Sequence, residues 1–292
     1  MTGLGDRFIP VMTILLGIVA AWYIGAYALN APFQRGLNER AGETPGFVEF
    51  VGQTMSQPKP TLPAPHQVAV NFFENTFLRS VTSARSLVYH AWVTLSSTLL
   101  GFAFGTVLGI AIAVGIVHVL ALDRSLMPWI IASQTIPILA LAPMIIVVLA
   151  AVGITGLLPK ALISTYLSFF PVAVGMVKGL RSPEAINLDL MRTYNASKAE
   201  TFWKLRLPAS VPFLFASMKV AIAASLVGAI VGELPTGAAA GIGAKLLNGS
   251  YYSQTIDMFS ALVAGSIVAA LLVTAVGATG RVVERAMGAR PA

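Results

Sequence analysis

The sequence has no cysteine. Disulfides, thiolate metal sites and cysteine nucleophiles are therefore excluded. Charge is scarce too: 11% of the 292 residues are Asp, Glu, Lys or Arg, where soluble domains carry about 25%. The three histidines, His66, His90 and His118, are widely separated, so no His/Asp/Glu cluster offers a metal site or a catalytic constellation. No Gly-x-x-x-x-Gly-Lys-Ser/Thr is present. The nearest approach, Gly241-Ile242-Gly243-Ala244-Lys245, lacks the spacing and the hydroxyl. The chain therefore has no phosphate-cradling loop of that kind with which to hydrolyse ATP.

What is there is apolar. Hydrophobic residues make up 56% of the chain and mean hydropathy is +0.79. About 20 apolar residues cross a bilayer as a helix. Six stretches qualify: 8–29, 89–117, 127–151, 156–177, 212–231 and 256–280. Their prolines, among them Pro10, Pro137, Pro143 and Pro171, are tolerated in membrane helices. The fold class is all-α, a polytopic membrane protein of six spans. The pI near 9.9 marks cytoplasmic loops rather than nucleic acid. The first span has a rival reading as a signal peptide, with Arg7 before it and Ala26-Tyr27-Ala28 at its end. Its apolar run exceeds the usual length of roughly 7–15 residues, which favours a retained anchor over residues 1–30.

Lys and Arg set the orientation. A cytoplasmic N-terminus places Arg7, Arg124, Lys178, Arg181, Arg192, Lys198, Lys204, Arg206, Lys219, Arg281, Arg285 and Arg290 inside. Outside fall Arg35, Arg40, Lys59, Arg79, Arg85, Lys160 and Lys245, most of them in the long segment 31–88. The bias puts both termini in the cytoplasm, with a tail at 287–292. Within the outer segment, 30–65 is rich in Pro, Gly and Gln and reads as irregular. From 67 to 89, Val70, Phe73, Phe77 and Val81 recur at helical spacing. This is an amphipathic helix, either lying on the outer surface or packed on the other spans. In the second span, Gly101, Gly105, Gly109 and Ala113 recur every four residues, a smooth stripe on which another helix can pack closely.

The connection 180–212 is the polar exception. Ser182 suits an N-cap, Pro183 the first helical position and Glu184 the positive end of the dipole. The helix runs to Tyr194, and Asn195 ends it, since Asn tolerates the left-handed conformation. Ser197-x-x-Glu200 is a capping box opening a second short helix that stops at Pro208. The exposed side presents Leu190, Met191, Tyr194, Phe202 and Trp203 among basic residues. Connections normally need only a few residues. A capped helix–turn–helix with apolar tips points to a docking element for a cytoplasmic protein.

This stretch resembles the coupling loop of permease subunits of binding-protein-dependent ABC importers. Their signature is Glu-Ala-Ala, three residues, Gly, nine residues, Ile, one residue, Leu-Pro. Here it reads Asp189-Leu190-Met191, RTY, Asn195, ASKAETFWK, Leu205-Arg206-Leu207-Pro208, with every spacing kept. Further landmarks extend the resemblance over about 62–286: Leu62-Pro63-Ala64-Pro65, His90 with Thr94-Leu95, Ile136-Pro137, Ala142-Pro143, Gly232-Glu233-Leu234 and Gly241-Ile242-Gly243. Together they are similar to the nitrate, sulfonate and taurine branch, which includes importers of thiamine-pyrimidine precursors and riboflavin.

The resemblance implies a five-helix importer core over 89–286 in the bacterial inner membrane. This chain would bind no cofactor, with ATP and Mg held by a partner ATPase. Partners would be a cytoplasmic ATPase dimer, a second permease, the same or a paralogue, a periplasmic binding protein and membrane lipid. The residues implied in ATPase coupling are Asp189, Leu190, Met191, Tyr194, Asn195, Ala196, Lys198, Ala199, Phe202, Leu205 and Pro208. A neutral pathway would be lined by Ser133, Gln134 and Thr135 before Pro137, by Ser164, Thr165 and Ser168 before Pro171, and by Ser217 and Ser225. Hydrogen bonding between helices is the competing role for these hydroxyls. Glu233 would sit at the outer gate or meet the binding protein. The alternative function is a secondary transporter driven by an ion gradient. Such transporters bury ionisable residues mid-membrane, and the span centres here carry none.

Overall fold

The computed structural model describes residues 4–235 and 240–288, with side chains from Phe8 onward. The Arg7 side chain, Arg290 and the last part of the 287–292 tail lie outside the described residues. The α-helices are α1 (Leu4–Ala41), α2 (Phe47–Met55), α3 (Pro65–Phe73), α4 (Leu87–His118), α5 (Leu120–Ser133), α6 (Ile138–Ala151), α7 (Leu157–Leu180), α8 (Ala185–Thr193), α9 (Lys198–Thr201), α10 (Leu207–Glu233), α11 (Ile242–Tyr251) and α12 (Thr255–Ala286). Single π turns follow α3 and precede α10. Among the described residues there is no strand. Among the described residues five helices are long and apolar enough to cross a membrane, and a bent pair makes a sixth candidate. The chain forms two compact units, residues 1–89 with 245–264 and residues 90–244 with 265–292.

In the first unit, α1 does not stop where its apolar run does. It continues to Ala41, and α2 follows, so the stretch expected to be irregular is largely helical. The reason is a ladder of amides. Gln34 and Asn38, one turn apart on α1, are buried. Gln34 Nε2 donates to Asn38 Oδ1, Asn38 Nδ2 to Gln53 Oε1, and Gln57 Nε2 to Gln34 Oε1, each at 2.9 Å. Polar side chains here form the inside of the hairpin, and the hydrogen bonds among these buried amides hold it. Asn30 pins the Leu62-Pro63-Ala64-Pro65 stretch: its Oδ1 accepts from Thr61 and Leu62 N–H, and its Nδ2 donates to Leu62 O at 2.8 Å.

The helix expected over 67–89 is shorter. It starts at Pro65, ends after its π turn at Leu78, and leaves 79–86 non-helical before α4. Val68 is buried, and its carbonyl accepts from Ser260. Val70, Phe73 and Phe77 are exposed.

In the second unit, α7 is the central helix, and glycines bring its neighbours close. A Cβ at Gly101, Gly105 or Gly109 of α4 would lie 2.2 Å from Ser164 Cβ, 2.0 Å from Ser168 Oγ or 2.8 Å from Val172 Cβ. On the other side, a Cβ at Gly228 of α10 would lie 2.7 Å from Ser164 Cα. Backbones at such separation gain van der Waals contact that larger side chains would prevent. An apolar cluster of Ala113, Ile116, Ile130, Met176, Val177 and Leu180 closes the end near the polar connection.

The third expected span, 127–151, is instead two helices. α5 and α6 meet at 100° across Gln134–Pro137. Pro137 has no N–H to give the carbonyl four residues earlier. That carbonyl, Ser133 O, accepts from the Tyr166 hydroxyl of α7.

Candidate functional site

The 180–212 connection is helical over most of its length, with corrections to its ends. Ser182 does not cap α8; its hydroxyl donates back to Gly179 O at 2.7 Å. Pro183 lies outside the helix, and Glu184 is the N-cap residue. The end of α8 is as expected. Asn195 has φ +51, Asn195 N–H donates to Arg192 O and Ala196 N–H to Met191 O, both at 2.9 Å. This pair of bonds is the Schellman arrangement, which satisfies the last carbonyls of a helix.

Ser197 then caps α9: Glu200 N–H donates to Ser197 Oγ at 3.2 Å, and Ser197 N–H donates to Glu200 Oε2 at 2.9 Å. Glu200 lies in the polar part of the helix. Its carboxyl is lowered to about 2, first by the Ser197 N–H, then by Lys204 and the Ser197 hydroxyl. The helix does not stop at Pro208. α9, the π turn 202–206 and α10 run on without a break, with Pro208 in the first turn of α10.

No residue of α8 is buried. Ile186, Leu190 and Tyr194, spaced by four, are 71%, 53% and 77% exposed, and Trp203 is 65% exposed. Ile186 was missed as a tip residue; its place four before Leu190 was the available signal. Met191 is half-buried. Phe202 turns inward, half-buried against the apolar cluster and edge-on to His118 at 5.1 Å between ring centres. Leu205, Pro208 and Ala196 are half-buried, while Asp189, Lys198 and Ala199 are exposed. Asp189 pairs with Arg192 at 2.9 Å. Arg206 Nη1 donates to Leu180 O at 3.2 Å, tying the start of α10 to the end of α7.

The expected pathway residues divide. Ser133 and Gln134 are half-buried and Thr135 exposed, all at the α5–α6 bend. Ser164, Thr165, Ser168 and Ser225 are buried. Ser164 donates to Ser225 O at 2.9 Å, Ser225 to Thr98 O at 2.8 Å, and Thr165 and Ser168 both reach Gly101 O at 3.2 Å. These four hydroxyls bond carbonyls across the α4–α7–α10 contact. Ser217 bonds Leu214 O within its own helix.

Glu233 is fully buried. Thr94 Oγ1 donates to its carboxylate at 2.8 Å, and Gly243 N–H donates to Oε2 at 2.7 Å. Ile242 N–H donates to Thr94 Oγ1 at 2.8 Å, and Gly241 N–H to His90 Nδ1 at 3.0 Å. Gly241 has φ +128, and a Cβ there would lie 2.2 Å from Glu233 Cδ, so only glycine fits. Three separate sequence landmarks thus form one joint.

Residues 105–289, more than half of the chain, match the family described as binding-protein-dependent transport system inner membrane component. The chain belongs to this family. A probable ABC transporter permease protein of Haemophilus influenzae is 29% identical over 214 residues, covering 73% of this chain and 82% of the relative. The formylaminopyrimidine transport permease protein ThiX of Halalkalibacterium halodurans is 30% identical, covering 63% of this chain and 69% of the relative. The riboflavin transport system permease protein RibX of Chloroflexus aurantiacus is 28% identical, covering 80% and 84%. The last two names fall in the branch expected from sequence.

The permease is therefore a multi-pass inner-membrane component and not an enzyme; ATP is hydrolysed on a partner ATPase. A binding protein is the other implied partner. The ion-gradient alternative is set aside.

Proposed function

We propose that this permease forms one half of a translocation pathway for a small solute and receives the ATPase stroke through α8 and α9. Both termini face the cytoplasm on this reading, and a second permease, the same or a paralogue, completes the pathway. The importer core occupies 89–286, with the outer segment and the anchor before it. The observation that carries the docking role is α8: a helix with no buried residue and a stripe of Ile186, Leu190 and Tyr194 turned outward. Isolated helices of this length are unstable in water, so a groove on a partner is its natural complement. Asp189, Met191, Asn195, Ala196, Lys198 and Ala199 frame that contact, while Phe202, Leu205 and Pro208 anchor it to the span.

The continuous helix from Lys198 to Glu233 supports direct transmission of the stroke into α10. Ser133, Gln134 and Thr135 at the bend remain the pathway residues. The relatives named for formylaminopyrimidine and riboflavin transport support a small organic solute.

The test is purification of the tagged chain in mild detergent, with mass spectrometry of what accompanies it. Wild type is expected to carry an ATPase, and Tyr194→Asp to lose it while still inserting in the membrane. Retention of the ATPase by the variant would overturn the placement.

A further inference from the structure

The amides that hold the α1–α2 hairpin form a chain with a direction. Gln57 Nε2 donates to the Asn30 carbonyl at 3.3 Å, and a carbonyl can only accept. That fixes which end of the Gln57 amide is nitrogen. The same nitrogen donates to Gln34 Oε1, Gln34 Nε2 donates to Asn38 Oδ1, and Asn38 Nδ2 donates to Gln53 Oε1. Each amide thereby sets the orientation of the next. One acceptor is left over at the start of the chain and one donor at its end. Gln57 Oε1 is buried and accepts no hydrogen bond. Among the described residues, Gln53 Nε2 donates to no acceptor. Gln53 and Gln57 line the same pocket. The cycle of amides is open between them, with a donor on one side and an acceptor on the other.

The opening lies in a pocket of about 590 Å³ that is also lined by Phe33, Leu37, Pro58 and Lys59. Apolar walls around a few convergent polar groups, at roughly 300–1,000 Å³, are the usual make-up of a small-molecule site. A water takes about 30 Å³ and would leave the apolar walls uncovered. A buried acceptor without a donor costs about 1–3 kcal/mol, and native structures keep few of them.

The two open groups select the ligand. It must accept from the Gln53 amide and donate to Gln57 Oε1. A carboxylate has no donor to give, and an ammonium has no acceptor. A sugar hydroxyl has both, but its ring carries further hydroxyls that Phe33, Leu37 and Pro58 would strip of water without replacement. A lactam has C=O beside N–H, and a flat apolar body to lay against those walls.

We infer that this pocket binds a planar lactam, its C=O on Gln53 Nε2 and its N–H on Gln57 Oε1. These residues lie ahead of the stretch 105–289 that matches the family. The inference rests on the hairpin alone and not on ATPase docking.

The test uses the full chain in phosphatidylcholine nanodiscs, titrated with 2-quinolone, a fluorescent bicyclic lactam, against nanodiscs without the chain. Saturable binding is expected. N-methyl-2-quinolone keeps the ring and the C=O but has no N–H. It should bind about tenfold more weakly or worse, because it leaves Gln57 Oε1 unpaired. Gln53→Glu keeps an oxygen for Asn38 and Gln34 and replaces the free donor with an acceptor. It should weaken 2-quinolone by a similar factor while the unfolding temperature stays near that of wild type. Phe33→Ala should weaken it several-fold. Lys59→Ala should not, because the ligand is neutral.

Equal binding of the two quinolones, or equal binding by wild type and Gln53→Glu, would mean partition onto apolar surface and would overturn the proposal. So would the absence of saturable binding. A tenfold loss in Lys59→Ala would mean an anion site and would overturn it too. If Gln53→Glu unfolds, the comparison of the two quinolones on wild type decides by itself. Because binding is read on the chain without the ATPase, failure here and failure of the docking reading are distinguishable.

Discussion

The Thr94 hydroxyl lies 2.8 Å from one carboxylate oxygen of Glu233 and 2.8 Å from the Ile242 amide nitrogen. One side chain on α4 thereby ties the end of α10 to the start of α11. Leaving a buried donor or acceptor unpaired costs about 1–3 kcal/mol, more for charged groups. Thr94→Val keeps the shape and removes both bonds, so thermal unfolding in detergent should show a loss of that size. Adding Glu233→Gln should give much less than the sum of the two single losses, because the two groups serve one joint. Additive losses would mean that Thr94 and Glu233 act separately.

The α4–α7 contact predicts an ordered series. Gly105→Ala would bring a Cβ to 2.0 Å from Ser168 Oγ, while other atoms stay at 3.1 Å. Overpacking of this kind costs about 1–3 kcal/mol, and Ser168→Ala in the same chain should recover most of it. Gly101→Ala meets backbone, with Ala161 O at 2.7 Å as well as Ser164 Cβ, so no small second change should relieve it. Gly17→Ala, with nothing within 4 Å, should be neutral. Failure of Ser168→Ala to rescue Gly105→Ala would remove the contact from this account.

The long apolar spans and the small-residue stripe were legible because each is set by local composition and spacing. The turn at Asn195 and the box at Ser197 and Glu200 were legible because caps are local chemistry. What escaped was long-range. The amides Gln34, Asn38, Gln53 and Gln57 read as loop composition, since their partners lie on another helix and are invisible to a local window. Glu233 read as an outer-gate or binding-protein contact, and nothing in its neighbourhood announces its bond to Thr94, 139 residues away. Ser164, Ser168 and Ser225 read equally as pathway or helix-contact residues, and the bonds they make across the approach permitted by Gly101 and Gly228 are invisible to a local window. The bend before Pro137 was hidden in an apolar run whose period does not change.

Asn195 holds φ +51 at the end of α8. A β-branched residue resists that conformation, and the left-handed region costs ordinary residues about 1–2 kcal/mol. Asn195→Gly should therefore support uptake in proteoliposomes containing the whole importer, and Asn195→Val should reduce it several-fold. Similar uptake from the two variants would show that the turn does not position the docking helix.

The Glu200 carboxyl is held at about 2, below its usual range, so its contribution follows the carboxylate sign. Stability from the capping box is complete above the ordinary carboxylate range and is lost as pH falls through about 2. Between pH 7 and pH 5 the box should not change. Glu200→Gln keeps an acceptor for the Ser197 N–H but loses the Lys204 pair at 3.1 Å; Glu200→Ala loses both. ATPase retention should therefore rank wild type, Gln, then Ala, with the same order at pH 7 and pH 5. A change of order between those pH values would place the titrating group elsewhere.

Tyr166 offers a way to ask whether the α5–α6 bend is wet. Its hydroxyl takes up the carbonyl of Ser133 that Pro137 leaves without its helical donor. In a dry contact, Tyr166→Phe would strand that carbonyl at a cost of about 1–3 kcal/mol. If Ser133, Gln134 and Thr135 line a solvated pathway, water replaces the phenol at almost no net cost. The pathway reading therefore predicts an unfolding temperature close to wild type together with altered uptake, because the bend loses its fixed tie to α7. A large loss of stability with uptake unchanged in the surviving protein would instead place the bend in a packed interior, and the pathway would have to be sought on other faces of the helices.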